Sequence, residues 1–487
     1  MKKFLAILLT LVMVMGLMAG CGSKSNDAQT NTNSKDEIVT LKWISVGNGK
    51  PANYDAWKAN LDKYLEEKIG VHLDYEIIGW GDWDTRRNMI VSTNEPYDIM
   101  FTNNGTFYND VSTGAFADIT EVLEKAPELK KFIPDSYWEA CKIDGKLYGV
   151  PTYKDSSATF FFVLDKALAD ATGLDYTSVH TLQDLVPVLE AMKEIETAEH
   201  HKGEAPFIIH KGGVDAIYGG KYDDISAGVP AIGVSYKNGK PEVVSVFEQE
   251  DVLKDIDTLH EMFTKGLINS NAAILEETPS YTSCMIAQGW PMAAKTVWGP
   301  NLGVEAIAIQ WGDTVLSNAT VQGSMNCISA SSKHPDKALQ LLELVNTDSY
   351  VRDALFYGLE GDNFDYTADH KVHKNNTDWP GAGYTQGTFF NVTTLDTDEA
   401  NQWDEVKVLN EQATPSPILG FSFNTEPVAD ELSACHAIFE EWRAQIMTGT
   451  ADPAKAIESM LSAMRDSGFD DIIKEAQSQI DTWVANK

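Results

Sequence analysis

Three apolar stretches early in the chain each hand over to a short polar run, and the side chains in those runs are amides and large rings. Asn48 follows the stretch Thr40–Val46, Trp80 and Trp83 follow Val71–Ile77, and Asn103, Asn104 and Tyr108 follow Tyr97–Phe101. An amide carries donors and acceptors together, so it pairs with a hydroxyl in either sense, and an indole or phenol ring offers a flat apolar face to C–H groups. These are the groups that hold a polyhydroxylated ring such as a sugar. Bond-breaking chemistry has less support. No Ser-centred nucleophile elbow and no HExxH occurs, although a facing carboxylate pair stays open among 72 acidic residues, because sequence does not show the separation of roughly 5–10 Å that glycosidases need. His370 and His373 lie three apart beside Asp369, which would suit a metal on a helix, but 361–380 reads as loop. Asp362, Asp365 and Asp369 lack the glycine and glutamate of a calcium loop, and Gly212, Gly213, Gly219 and Gly220 do not form a phosphate loop. No metal or cofactor is expected.

The elements that must position these side chains follow from periodicity. Trp57, Leu61, Tyr64, Leu65 and Ile69 share one face of a helix over 54–69 that stops at Gly70. Val71, Leu73, Tyr75 and Ile77 alternate as in a half-buried strand. With a helix near 82–92 and strands at 40–46 and 97–101, the pattern is β-α-β-α-β, which predicts a parallel sheet whose ligand sits beyond the carboxyl ends of the strands. The chain then reads GKLYGVPTYKDSSATFFFVLDK over 145–166: a short strand, Pro151 where a ladder donor is lost, a polar run containing Tyr153, and a new strand over 159–164. That run suits a hinge lining a cleft between two lobes. Helices are expected at 181–196 and 251–265. Near the end, Leu432, Cys435, Phe439, Trp442 and Ile446 fall at helical spacing, as do Ile473, Ala476, Ile480 and Trp483.

Size and charge narrow the class. A chain of 487 residues suits two lobes plus additions, and a formal charge of −34 with no basic run repels nucleic acid and anionic lipid and makes a polyanionic ligand a poor match. Lys2 and Lys3 followed by an apolar run over 4–15 read as a secretory signal, or else as an uncleaved anchor. The polar stretch 23–35 cannot bury a core and reads as a flexible tether. Cys141, Cys284, Cys327 and Cys435 are too far apart for a CxxC motif and are expected as buried free thiols.

Several of these segments carry a resemblance. GKLYGVP, TYKDSSA and TFFFVLDK in succession, the run YDIMFTNNGTFYNDVSTGAFADIT, the stretch CMIAQGWPMAAKTVWGP, and TVQGSMNCISA followed by SSKHPDKALQLLELVNTD resemble the extracellular sugar-binding proteins of ATP-binding-cassette importers. The final part, with YGLEGDNFDY and PSPILGFSFNTEPV, resembles a Gram-positive lipoprotein subfamily ending in a helical domain without an assigned function. Met18 to Cys21 resembles a bacterial lipobox, with Met18 a departure from the usual Leu, Val or Ile. The resemblance implies an α/β fold of two discontinuous lobes with a helical C-terminal extension. It divides the chain into a signal over 1–20, a lipidated Cys21 and tether over 21–37, lobe one over 38–153 and 311–350, lobe two over 154–310, and a C-terminal region over 351–487. By the same token Trp290 stacks on the ligand from lobe two and Asn103 and Asn104 lie in a ligand loop. Trp298, Trp311, Trp379 and Tyr384 are further aromatic candidates. The implied function is a monomeric, membrane-anchored, non-enzymatic protein that captures a neutral oligosaccharide outside the cell and delivers it to permease subunits. A peptide ligand, a glycoside hydrolase, a metal-binding lipoprotein and an adhesive surface lipoprotein are the alternatives.

Overall fold

The computed structural model describes residues 38–199, 205–225 and 231–487. The expected signal, Cys21 and the tether lie outside the described residues.

Strands Val39–Gly47 (β1) and Val71–Gly79 (β2) run parallel from Val39 opposite Val71 to Gly47 opposite Gly79. Helix Tyr54–Ile69 (α1) connects them, buries Trp57, Leu61 and Leu65, and ends at Gly70, whose φ of 65° only glycine adopts at little cost. Helix Trp83–Thr93 (α2) leads to strand Ile99–Thr102 (β3), parallel to β1, and β3 leads to helix Asn104–Ser112 (α3). The expected strand near 147–150 is two pieces. Lys146–Leu147 closes a hairpin on Lys142–Ile143, and Gly149–Pro151 (β4) joins the edge of the first sheet. Asp144 and Gly145, both at positive φ, make the tight turn of that hairpin.

The chain crosses at 152–157 and starts a second sheet with Ala158–Asp165 (β5). Phe162 and Leu164 face a core shared with helices Leu182–Glu199 (α4) and Glu250–Thr264 (α5), and Phe161 and Val163 face the opposite side. Cys284–Gln288 (β6) and Ala306–Leu316 (β7) flank β5, both antiparallel to it. The second sheet therefore extends to Leu316, beyond the boundary at 310 that the sequence suggests. A register shift between Trp311 and Val315, with Gly312 at φ 74°, bends β7 without ending it.

Strand Met325–Ile328 (β8) returns to the first sheet, antiparallel to β3 and β4, giving the order β2-β1-β3-β8-β4. Helix Pro335–Thr347 (α6) buries Ala338, Leu341, Leu342 and Val345 on that lobe. Helix Gln402–Gln412 (α7) then lies on the second lobe, and Thr414–Pro415 (β9) pairs with the end of β7. The terminal helices Ala429–Met447 (α8), Pro453–Asp466 (α9) and Phe469–Ala485 (α10) do not form a core of their own. Leu432, Cys435, Phe439, Met460, Ile472 and Ile480 pack into the same cluster as Phe162, Phe247 and Leu259 of lobe two. All four cysteines described are buried and unpaired. Among the described residues no helix is long and apolar enough to cross a membrane.

Asp223, on the short strand Tyr222–Asp224, is buried beside Ser416, just past β9. Burial pushes its carboxyl up to about 7, against the lowering effect of the Ser416 hydroxyl. An unfolded aspartate ionises near pH ~4, so between about pH 4 and 7 the unfolded chain gives up a proton that the folded chain keeps, and stability falls as pH rises through that window. Asp223→Asn removes the effect. Its melting temperature should exceed that of the wild type by more at pH 8 than at pH 4, and an equal difference at both would contradict the assignment.

Candidate functional site

The carboxyl ends of β1, β2 and β3 meet a segment over 380–388 that no periodicity in the sequence places there. The main-chain N–H of Asn48 donates to the carbonyl of Pro380 at 3.0 Å, and Gly47 bridges to Gly381. A Cβ on Gly47 would stand 2.5 Å from the Pro380 carbonyl oxygen, so only glycine permits this approach. Ser45 and Thr385 share a hydrogen bond of 2.8 Å, and the Asn326 amide on β8 donates to the carbonyls of Thr385 and Gln386. Arg352, fully buried, donates to the carbonyls of Thr388 at 2.6 Å and Gly383 at 2.9 Å and to the Gln386 side chain at 2.8 Å. Burial lowers its guanidinium to about 10, and these acceptors are what make an interior cation tolerable.

The segment so held carries Tyr384 to the end of the sheet. There the Tyr384 ring stacks on Trp80 with centroids 6.4 Å apart and planes 17° from parallel. Phe101, at the end of β3, meets the Tyr384 ring edge-on at 6.0 Å and braces it from beneath, and Trp83 packs in turn on Phe101 at 5.6 Å. Trp80 is 52% exposed, so its outer face is open to solvent while its neighbours are fixed. From the crossover, the Lys154 ammonium sits 6.0 Å from the Tyr384 centroid and pairs with Asp155 at 2.6 Å. The result is an aromatic platform beside a charged pair at the mouth between the lobes. Such a surface can cover the C–H face of a sugar ring while donors and acceptors take its hydroxyls.

The other candidates separate into groups. The Asn103 side chain caps α3, accepting from the Gly105 N–H at 3.0 Å, while Asn104 and Tyr108 on that helix are exposed, Tyr108 at 42%. Tyr153 is buried in the lobe-one core against Tyr137, Phe132 and Phe390, and burial pushes its phenol up to about 12. Trp379 is half-buried, packs on Trp57 at 5.0 Å and donates its indole N–H to the Leu355 carbonyl. Trp298 and Trp311 are buried in lobe two against Phe161 and Phe162. His373 bonds Asp396 at 2.7 Å, and His370 occupies the turn of the hairpin formed by Phe364–Tyr366 and Val372–Lys374.

Trp290 follows the end of β6, half-buried, and leans on Trp403 of α7 at 5.5 Å. Its indole N–H is buried without a hydrogen-bond partner. Trp403 continues to Phe389 at 4.3 Å, in the segment that leaves lobe one, so a chain of three rings spans from one lobe to the other. Trp403 and Asn410 carry no motif that would mark them in the sequence. Both lie on α7, whose place against the crossover is a long-range contact with no local motif.

Residues 59–358 match the family of bacterial extracellular solute-binding proteins, and residues 417–485 match a domain of unknown function. The chain belongs to that solute-binding family, whose two-lobed α/β fold it shares. A carbohydrate ABC transporter substrate-binding protein of Streptococcus pneumoniae serotype 4 is 28% identical over the whole of this chain and 99% of its own length. The crystal structure of the N-glycan transport solute-binding protein from Streptococcus pneumoniae superposes with a TM-score of 0.81, at 26% identity over 92% of this chain and 99% of that one. The structure of the same protein in complex with Man5GlcNAc gives 0.66 at the same identity and coverage.

The exposed ring of Trp80 can be tested without disturbing the fold. Trp80→Ala should leave the melting temperature close to wild type and weaken ligand binding by about 2 kcal/mol, roughly thirtyfold. Trp290→Ala should lower the melting temperature as well, because it removes the packing surface of Trp403. Calorimetry and thermal unfolding on both variants check the contrast.

Proposed function

We propose that this protein captures a neutral oligosaccharide outside the cell and delivers it to the permease of an ATP-binding-cassette importer, and that it is not an enzyme. The observation that carries the reading is the braced Trp80–Tyr384 platform at the carboxyl ends of the lobe-one strands, facing the crossover between the lobes. Its chemistry suits sugar rings. The net charge of −34 disfavours an anionic ligand. A relative of equal length is named a carbohydrate transporter component, and another is seen with Man5GlcNAc. Asn104, Tyr108, Asn48 and Trp290 are proposed to border the ligand, with Asn103 setting the loop through its cap.

Lobe movement is part of the proposal. The two structures of the N-glycan-binding relative match this chain at the same 26% identity and the same coverage, so the fall in TM-score from 0.81 to 0.66 reflects how the parts are arranged rather than sequence. A ligand shifts the lobes only through contacts it makes in the closed state alone. Small-angle scattering should show compaction when the ligand saturates the protein. Thermal-shift screening identifies that ligand, since about a hundredfold excess over the dissociation constant adds ~2.7 kcal/mol. Stabilisation by peptides and not by glycans would refute the sugar reading.

Cys21 is proposed as the acylated N-terminus of a mature, membrane-anchored protein. Durable anchoring takes more than one acyl chain. Cys21→Ala should move the protein from the membrane fraction to the medium, and retention of the variant would point to an uncleaved apolar anchor.

A further inference from the structure

We propose that the open edge of the lobe-two sheet is a second stretch of the glycan site, taking a branch or extension of a large neutral oligosaccharide, and that the C-terminal helical domain holds its outer wall. The proposal rests on the carbohydrate reading above. Strand β6 is the edge of its sheet. Among the described residues only its start is covered: the Cys284 N–H donates to the Pro206 carbonyl at 2.9 Å, so its main-chain groups point away from β5. Residues two apart on a strand face alike, and Ile286 and Gln288 therefore turn their N–H and C=O outward past the end of that cover. A groove of about 450 Å³ runs along this stretch, between 207–216 on one side and 298–302 on the other. Gln288 and Asn301 line it with exposed amides, and Phe160 adds an aromatic face. Because Gln288 pairs with Phe160, three residues beyond Ser157, the groove begins at the crossover between the lobes.

The wall opposite β6 is fastened from α8. Arg443 donates to the Gly212 carbonyl at 3.2 Å and to the Asp215 carboxylate at 2.6 Å, and the Val214 N–H donates to the Met447 carbonyl at 3.1 Å. Gly213, at φ 74°, lies so close that an added Cβ would stand 2.3 Å from the Met447 Cβ. With the Asp215 charge taken up by Arg443, the lining sets apolar side chains such as Ile286 and Leu302 and the Phe160 and Trp298 rings beside the Gln288 and Asn301 amides, the Thr278 and Ser280 hydroxyls and the His210 imidazole. Apolar faces next to uncharged donors and acceptors suit the C–H faces and hydroxyls of a neutral glycan.

Calorimetry with Man5GlcNAc and with a mannose–N-acetylglucosamine disaccharide tests this on the full chain. Gln288→Ala combined with Asn301→Ala should weaken Man5GlcNAc about tenfold, the scale of one or two lost hydrogen bonds, and leave the disaccharide within about twofold. Arg443→Gln, a positioning change, should show the same selectivity, and Arg443→Lys should recover part of the loss. The exposed double variant keeps the test valid if Arg443→Gln fails to fold. Equal loss for both glycans, no loss for Man5GlcNAc, or a wild type that binds the disaccharide alone would overturn the groove and leave the carbohydrate reading standing. A wild type that binds neither glycan would overturn the groove as a site for mannose-rich chains, and the carbohydrate reading falls with it only if the wider glycan screen is negative too.

Discussion

The structure depends on how its main chain is satisfied where it passes between two sheets. A ladder ends at Pro151 and another begins at Ala158, and the peptide groups between them need partners that neither sheet supplies. Asn410, buried at the end of α7, provides for two of them: its side-chain oxygen accepts from the N–H and hydroxyl of Ser157, and its amide donates to the Lys154 carbonyl at 2.5 Å, while Ser156 and the Ser324 carbonyl meet others. Thr159 and Thr314 share a hydrogen bond of 2.8 Å on the lobe-two side, and the Thr152 hydroxyl donates to the Ser324 carbonyl on the lobe-one side. The crossings are thereby tied to one another at a few points. The lobe movement proposed above would concentrate its rotation there.

Each lobe is completed by sequence from the far end of the chain. Lobe one takes the 380–388 segment, anchored by Arg352 and Asn326 on the sheet end. Lobe two takes α8, α9 and α10 into its core and uses Arg443 to hold 212–215. The helical domain without an assigned function is thus part of the lobe that it covers, and its stability is not separable from that of lobe two. The ring chain Trp290–Trp403–Phe389 adds a soft contact between the parts, since aromatic packing of this kind is worth only about 0.5–1.5 kcal/mol beyond burial.

The platform itself is a product of this arrangement. Trp80 follows its strand by one residue, whereas Tyr384 is more than three hundred residues away and arrives only because Gly47 lets the Pro380 carbonyl approach. Phe101 and Trp83 are core residues that double as its support. Such a site gains rigidity from packing, and binding then spends little entropy on ordering it.

By itself the sequence determined the local elements and the class. Helix α1 and strand β2 are legible because 3.6-residue and two-residue periodicities are properties of neighbouring residues, and Gly70 marks the stop between them for the same reason. The position of Trp80 at a strand end was equally readable, and so was the polar crossover. Tertiary structure alone decided which aromatic residues are open. Tyr153, Trp298 and Trp311 carry the same side chains as the platform, yet they are buried because partners distant in sequence close over them. It also decided where β7 stops, since the strand runs on from the expected boundary at 310 through a bulge at Gly312 to Leu316. The roles of Trp403, Asn410 and Arg443 have the same origin: each acts across contacts between segments far apart in the chain, and pairing at that range leaves no pattern in a single sequence.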